Sequence, residues 1–330
     1  MPKILFINTD EPDYLQDVLF SGLVKLLGSD NVVDYPWNCF FHLKNRKYPK
    51  NLGFTSGSLF NSFINRFTSF SSFDIAIVAS AKPKCFAAYL NIMDKLSSST
   101  PVIFVDGGDF SEIGGDLIRL KAMHLYEDAL KKRPFDMVFK REYLADCEYP
   151  STVVPFPFGF NYSRSDFLET AQSFAYDVSF WAVESDAIRT RALAMLEDRF
   201  DCRQNGTVRN QVFRKYKRKG KKYLQELQKC KIVLNFRGVG WDTLRYWEAP
   251  AIGRFMISQK PGIVIPGNFV EGKEVVFCKD DLSDLIDLCE YYLEHEDERE
   301  LIAVNARKAA RERHSDLVRS KYLLDTVNAL

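Results

Sequence analysis

KIVLNFRGVGWDTLRYWEAPAIGRFMISQ, Lys231 to Gln259, reads as an apolar, β-branched strand running into a glycine-punctuated turn. A short helix follows, with Asp242 as its N-cap and Gly253 as its C-cap, and then a second strand. Gly238 and Gly240 let the backbone approach a ligand closely, and the helix start behind them offers free N–H groups and the positive end of a dipole. That combination suits a phosphate. Arg237 at the strand end and Arg245 in the first helical turn add cations able to form charge-assisted bonds to a diphosphate. Glu248, five residues past Thr243, lies about one and a half turns into the helix, where a carboxylate can accept both hydroxyls of a ribose. On residues alone, a purely structural strand-to-helix turn with solvated arginines fits the same pattern, and that alternative stays open.

The same alternation extends in both directions. Upstream, Lys3–Asn8, Asp74–Ala79, Val102–Val105, Met137–Lys140 and Val153–Pro155 are strand candidates separated by helical patterns, which implies a parallel sheet covered on both faces. Between the first two, Asn51–Ser72 is rich in Ser, Phe, Asn and Gly and reads as a loop or irregular helix. PFPFGFNYSRS, Pro155 to Ser165, concentrates turn formers, and the alternation restarts after it, so the domain boundary falls there. The second half reads as strand Asp177–Ala182, helix Ser185–Arg199, a short strand near Cys202, helix Lys221–Lys229 and strand Lys231–Phe236. After these come helix Thr243–Ile252, strands Arg254–Ser258 and Val275–Cys278, and helices across Leu282–Arg313. The expectation is two facing Rossmann-like α/β domains, residues 1–160 and 161–315, with a C-terminal helix at 316–330 packing back on the first. Ligands in such sheets sit at the carboxyl ends of the strands, here the cleft between the domains.

The whole chain supports that division. Its 330 residues suffice for two cores. With 46% apolar and 27% charged residues and a formal charge of +1, the composition is that of an ordinary globular protein and names no partner. The seven cysteines are scattered singly, without zinc spacing, and read as buried thiols. MPKILFINTD turns polar too soon for a signal peptide, and no window approaches the roughly 20 apolar residues of a spanning helix. We expect a cytoplasmic protein without a transmembrane segment.

The order Asp-Thr-x-Arg-x-x-Glu-Ala (Asp242, Thr243, Arg245, Glu248, Ala249), then Gly253, a strand, Val-x-Gly-Lys-Glu-Val-Val (with Gly272, Lys273 and Glu274) and a helix ending in His-x-x-x-Arg, with the tail Tyr291–Arg299 and Asn305–His314, resembles the CgeB-like spore-maturation glycosyltransferases. These are GT-B enzymes related to glycosyltransferase group 1. YDVSFWA at Tyr176–Ala182 is similar to the family's first C-domain strand, and PFPFGFN to its interdomain turn. The resemblance covers Pro155 to about His314. It implies a nucleotide-sugar donor with no further cofactor, Glu248 holding the ribose, and Thr243 with Arg245, beside Arg237, Gly238 and Gly240, meeting the diphosphate. Two positions depart from the pattern. Pro250 removes one helical N–H, so a kink is expected there. Gly240 stands where group 1 has a second glutamate, so the sugar-binding half of the pattern is either absent or supplied from elsewhere, for instance by Glu271.

No Asp-x-Asp occurs, which argues against a GT-A enzyme holding its nucleotide through a divalent metal; the departing diphosphate would be stabilised by cations and helix N–H groups. No metal ligand set is assigned. The strand Val102–Val105 ends in DGGDF, which puts Asp106 and Asp109 at a sheet edge where a general base can take a proton from an acceptor hydroxyl. Asp10, with Glu11, occupies the analogous edge after the first strand. Each of these carboxylates equally fits a plain turn. RNQVFRKYKRKGKK, Arg209 to Lys222, holds eight basic residues in fourteen and admits three readings: a solvated loop, a flap over the donor phosphates, or a patch for a polyanion such as nucleic acid. The reading adopted is metal-independent transfer of a sugar from a nucleoside diphosphate to an acceptor hydroxyl of unknown kind. Its alternatives are a non-catalytic nucleotide-binding or assembly protein on the same fold and a DNA-modifying glycosyltransferase.

Overall fold

The computed structural model describes residues 1–42, 69–165, 168, 173–201, 207, 209 and 221–330. Its chain divides into two compact units, Met1–Ser163 with Asp316–Leu330, and Arg164–Ser315.

In the first unit β1 (Ile4–Ile7), β2 (Val32–Tyr35), β3 (Ile75–Val78), β4 (Val102–Asp106), β5 (Met137–Lys140) and β6 (Val153–Pro155) form one sheet in the order β2-β1-β3-β4-β5-β6. Every pairing is parallel. β1, β3, β4 and β5 are buried along their whole length, the near-continuous apolar run expected of strands covered on both faces. The sequence reading missed β2: VVDY is short and half polar, and only its pairing with β1 defines it. The strand order reverses between β1 and β3, so the segments following those strands diverge at a topological switch point.

Helix α1 (Tyr14–Leu27) follows β1, its N-cap Asp13 accepting from the N–H groups of Leu15 and Gln16. α2 (Cys39–His42), α3 (Pro83–Ile92), α4 (Gly115–Arg119) and α5 (Met123–Lys132) complete the described helices before residue 163. On one face Phe86, Tyr89, Phe104, Tyr126 and Phe135 form an aromatic core.

The second unit holds the order β10-β9-β8-β7, all parallel: β7 (Tyr176–Ser179), β8 (Cys230–Asn235), β9 (Phe255–Gln259) and β10 (Val276–Cys278). Around it lie α6 (Ala187–Leu196), α7 (Lys221–Gln228), α8 (Leu244–Ala251), α9 (Leu285–Glu294) and α10 (Glu296–His314). The helical stretch expected from residue 282 breaks at His295, which separates α9 from α10. The fold is thus two parallel-sheet α/β units, with six and four strands among the described residues.

The last helix, α11 (Asp316–Val327), returns to the first unit and lies on α1. Asp316 accepts from Ser21 Oγ at 2.9 Å and Lys25 Nζ at 2.5 Å, and Ser320 Oγ donates to Leu19 O at 3.1 Å. The close approach needs Gly22, since a Cβ there would lie 2.1 Å from the Asp316 carbonyl oxygen.

Candidate functional site

The carboxyl ends of β8 and β9 and the start of α8 are tied by a small polar network. Buried Asn235 donates through Nδ2 to Ser258 Oγ at 3.0 Å and accepts the Thr243 hydroxyl on Oδ1 at 2.6 Å. At the turn above, the Gly238 N–H reaches the Gly240 carbonyl at 2.9 Å, and Arg189 of α6 clamps the strand end. Its Nε donates to Arg237 O at 2.7 Å and its Nη2 to Phe236 O at 3.0 Å. A side chain on Gly238 would place its Cβ 3.1 Å from Arg189 Nη2, so glycine and clamp belong together. Arg189, Asn235 and Ser258 were not singled out from sequence. A lone arginine in a short helix carries no signal of its own.

Arg237 folds back over its own turn. Its guanidinium lies 4.4 Å from the Trp241 ring centroid, donates to Val239 O at 3.2 Å and has Nε 3.4 Å from Asp186 Oδ2. The N-cap of α8 is Thr243, not Asp242 as expected; Asp242 instead accepts the Trp247 indole N–H at 2.7 Å. Because the Thr243 hydroxyl is spent on Asn235, it does not cap the helix, whose start carries the positive end of the helix dipole. At the other end Gly253 takes φ 74°, and Arg254 N–H reaches Ala249 O while Gly253 N–H reaches Pro250 O, both at 2.9 Å. That is a Schellman cap. The helix runs through Pro250 to Ala251.

Glu248 is 2% exposed. Arg164, at the end of the 3-10 turn Tyr162–Arg164, donates to its Oε1 at 2.5 Å, with both side chains 3% exposed. The Tyr223 hydroxyl of α7 lies close to the Glu248 carboxylate. Burial pushes that phenol above its ordinary range; the nearby Arg245 opposes the shift and Glu248 reinforces it. Arg245 donates from Nε to Tyr223 at 3.2 Å, reaches Trp181 O through Nη2 and lies 5.2 Å from the Phe180 ring. The structure therefore gathers Arg245 and Glu248 around Tyr223, and Arg237, Gly238 and Gly240 in the adjoining turn. Glu271 is exposed in a separate loop, bridged to Val275, whose neighbour Glu274 pairs with Arg313.

The first unit's carboxylates differ sharply. Asp106 is fully buried; it accepts Lys140 Nζ at 2.9 Å and the N–H groups of Gly114 and Gly108 at 2.9 and 3.3 Å. Asp109 is 48% exposed and paired with Arg141. Asp10 is 63% exposed and meets Lys84 Nζ at 2.8 Å. Asp13, beside the switch point, is buried and accepts the Ser80 hydroxyl at 2.5 Å. Burial raises its carboxyl above the usual range, partly offset by bonds from Ser80 and Gln16 and by Lys82 and Arg141.

Among the described residues no group of three His, Cys, Asp or Glu side chains could hold a metal ion, and no helix is long and apolar enough to cross a membrane. Six described cysteines are free; Cys147 is exposed, Cys39 half-buried and the other four buried. Burial pushes the Cys85, Cys230 and Cys278 thiols up to about 12. The strand expected near Cys202, most of Asn51–Ser72 and residues 210–220 of the basic run lie outside the described residues; Phe70–Ser72 forms a 3-10 turn.

Residues 167–325 match the family model described as glycosyl transferase-like. No curated protein matches the chain. Among solved structures, it is similar to Anabaena HepE in complex with UDP-glucose, at 12% identity and TM-score 0.57 with 100% of each chain covered. It is also similar to an alpha-glucosyltransferase bound to UDP-glucose and DNA containing an abasic site, at 10% identity and TM-score 0.61 over 98% of each chain. A Rickettsia africae glycosyltransferase aligns at 12% identity and TM-score 0.56, over 99% of this chain and 98% of that one. The class that the fold defines is GT-B.

Proposed function

We propose that the chain is a glycosyltransferase that takes a nucleoside diphosphate sugar as donor. The observation carrying this reading is the turn between β8 and α8: an uncapped helix start next to a cation, Arg237, with a buried carboxylate, Glu248, on the same helix. The glycosyl transferase-like match and the neighbours crystallised with UDP-glucose support it. The positive end of α8 and Arg237 bind the diphosphate and stabilise the charge that develops as it departs; Glu248 accepts the ribose hydroxyls. The acceptor oxygen forms the new bond to the anomeric carbon, the bond to the diphosphate breaks with its electron pair, and the acceptor proton passes to a carboxylate of the first unit. Asp109 and Asp10 have the exposure that step needs. Binding and transfer proceed without a metal, in a cytoplasmic protein of CgeB-like specificity. The test is a thermal-shift panel of UDP, GDP, ADP and TDP with and without EDTA, followed by assay of slow donor hydrolysis. A ligand at about 100 times its Kd adds roughly 2.7 kcal/mol. Failure of all four to bind overturns the reading, and a strict magnesium requirement overturns its metal-independent part.

A second reading, a DNA-modifying transferase, is favoured by the basic run Arg209–Lys222 and by the neighbour solved with DNA. We propose instead that the positive charge of this run serves donor binding. Neutralising Lys217, Arg218 and Lys219 then weakens donor binding. Duplex binding that collapses in that variant with donor affinity intact establishes the second reading.

A further inference from the structure

Glu248 is assigned the ribose, yet its carboxylate already has a protein partner, Arg164 at 2.5 Å. Leaving a buried carboxylate without its cation is costly. Arg164 stands on the 3-10 turn, and the Tyr223 hydroxyl of α7, bonded by Arg245 of α8, lies nearby. A carboxylate offers about four lone-pair directions. One guanidinium bond therefore leaves acceptor capacity for a diol.

We propose that Arg164 is a positioning residue for donor recognition: its bond to Glu248 Oε1 orients the carboxylate so that it can take the ribose hydroxyls of the nucleotide. This rests on the donor reading given above. It also assigns a function to the NYSR segment, Asn161–Arg164, that its turn-forming residues do not suggest. The segment supplies the counter-ion of the nucleotide site as the chain enters the second unit.

The test is calorimetric binding of UDP and of 2′,3′-dideoxy-UDP to the full chain, as wild type, Arg164→Lys and Arg164→Met. Arg164→Met is expected to weaken UDP about tenfold, the loss of one good bond to a charged group, and to leave dideoxy-UDP unchanged. Arg164→Lys, which keeps the charge, should recover part of the loss. Since an orphaned buried charge can unfold a protein, Arg164→Met is also made with Glu248→Gln; there it should cost nothing beyond the Gln change. Equal weakening of both nucleotides overturns the role of Arg164 while the donor reading stands. Wild type binding dideoxy-UDP as tightly as UDP overturns the ribose contact itself, and with it this proposal.

Discussion

Arg189 holds Arg237 by the backbone: Nε of the one donates to the carbonyl oxygen of the other at 2.7 Å, while the Arg237 side chain is left for the Trp241 face and the turn. Two neighbouring carbonyls are fixed by one planar fork, a geometry an ammonium cannot reproduce. Arg189→Lys should therefore weaken UDP binding by about tenfold, since bonds of this kind contribute roughly 1.5–3 kcal/mol. Calorimetry decides it, and unchanged affinity would show that the turn is shaped without the clamp.

Asp106 and Asp109 are three residues apart and in opposite environments, so their asparagine variants should separate stability from turnover. Asp106→Asn orphans the fully buried Lys140 and should cost roughly 3–5 kcal/mol of folding stability. Asp109→Asn changes a half-exposed side chain and should stay within about 0.5 kcal/mol. If Asp109 is the base, transfer falls roughly 10²–10⁴-fold. Thermal melts and product assays on both variants are the measurement; a fully active Asp109→Asn removes it as the base.

Lys82 meets Asp116 at 2.5 Å, with Arg119 further off at 3.4 Å. Burial alone would raise the Asp116 carboxyl, but the Lys82 bond and charge and then Arg119 outweigh it and hold the group below its ordinary value of 3.8. A lowered carboxylate contributes stability that is present above that ordinary value and lost as pH falls through the folded one. Lys82→Met should accordingly be less stable than wild type by roughly 1.5–3 kcal/mol at neutral pH. The gap should close on acidification below about 3.8, as urea midpoints across pH would show. A constant gap would mean that the lysine acts through packing.

Gly22 leaves no space for a methyl group against the Asp316 carbonyl. Gly22→Ala should lose at least the roughly 1–3 kcal/mol typical of overpacking. Thermal unfolding of this variant tests the contact between α1 and α11 directly, and an unchanged melt would contradict it.

Much of the fold is legible in the sequence because continuous apolar strands such as ILFI, IAIV and VIFVD announce sheets buried on both faces. VVDY escaped because a four-residue strand with a polar half has no local signature. In the site, glycines and the Arg237 turn were readable from spacing, since the backbone demands them. What Arg245 touches was not: whether an arginine faces a ligand or a phenol depends on tertiary neighbours such as Tyr223, 22 positions away. The pairing of Arg164 with Glu248 spans 84 positions, beyond any periodicity. Asp242 misled because Asp and Thr are both good N-caps and stand side by side.

The return of α11 to α1 makes the first unit discontinuous, with Arg164–Ser315 inserted between its two parts. During synthesis α1 waits for a partner 295 positions downstream, while the inserted segment is contiguous and can condense as soon as it emerges. Loop closure of that length is slow relative to local collapse. The order of assembly is therefore expected to run against the order of translation, with the second unit complete first and the first unit sealed by the last helix. A nascent chain halted before residue 316 would present the bare groove of α1 to chaperones, and residues 164–315 are the piece to express alone.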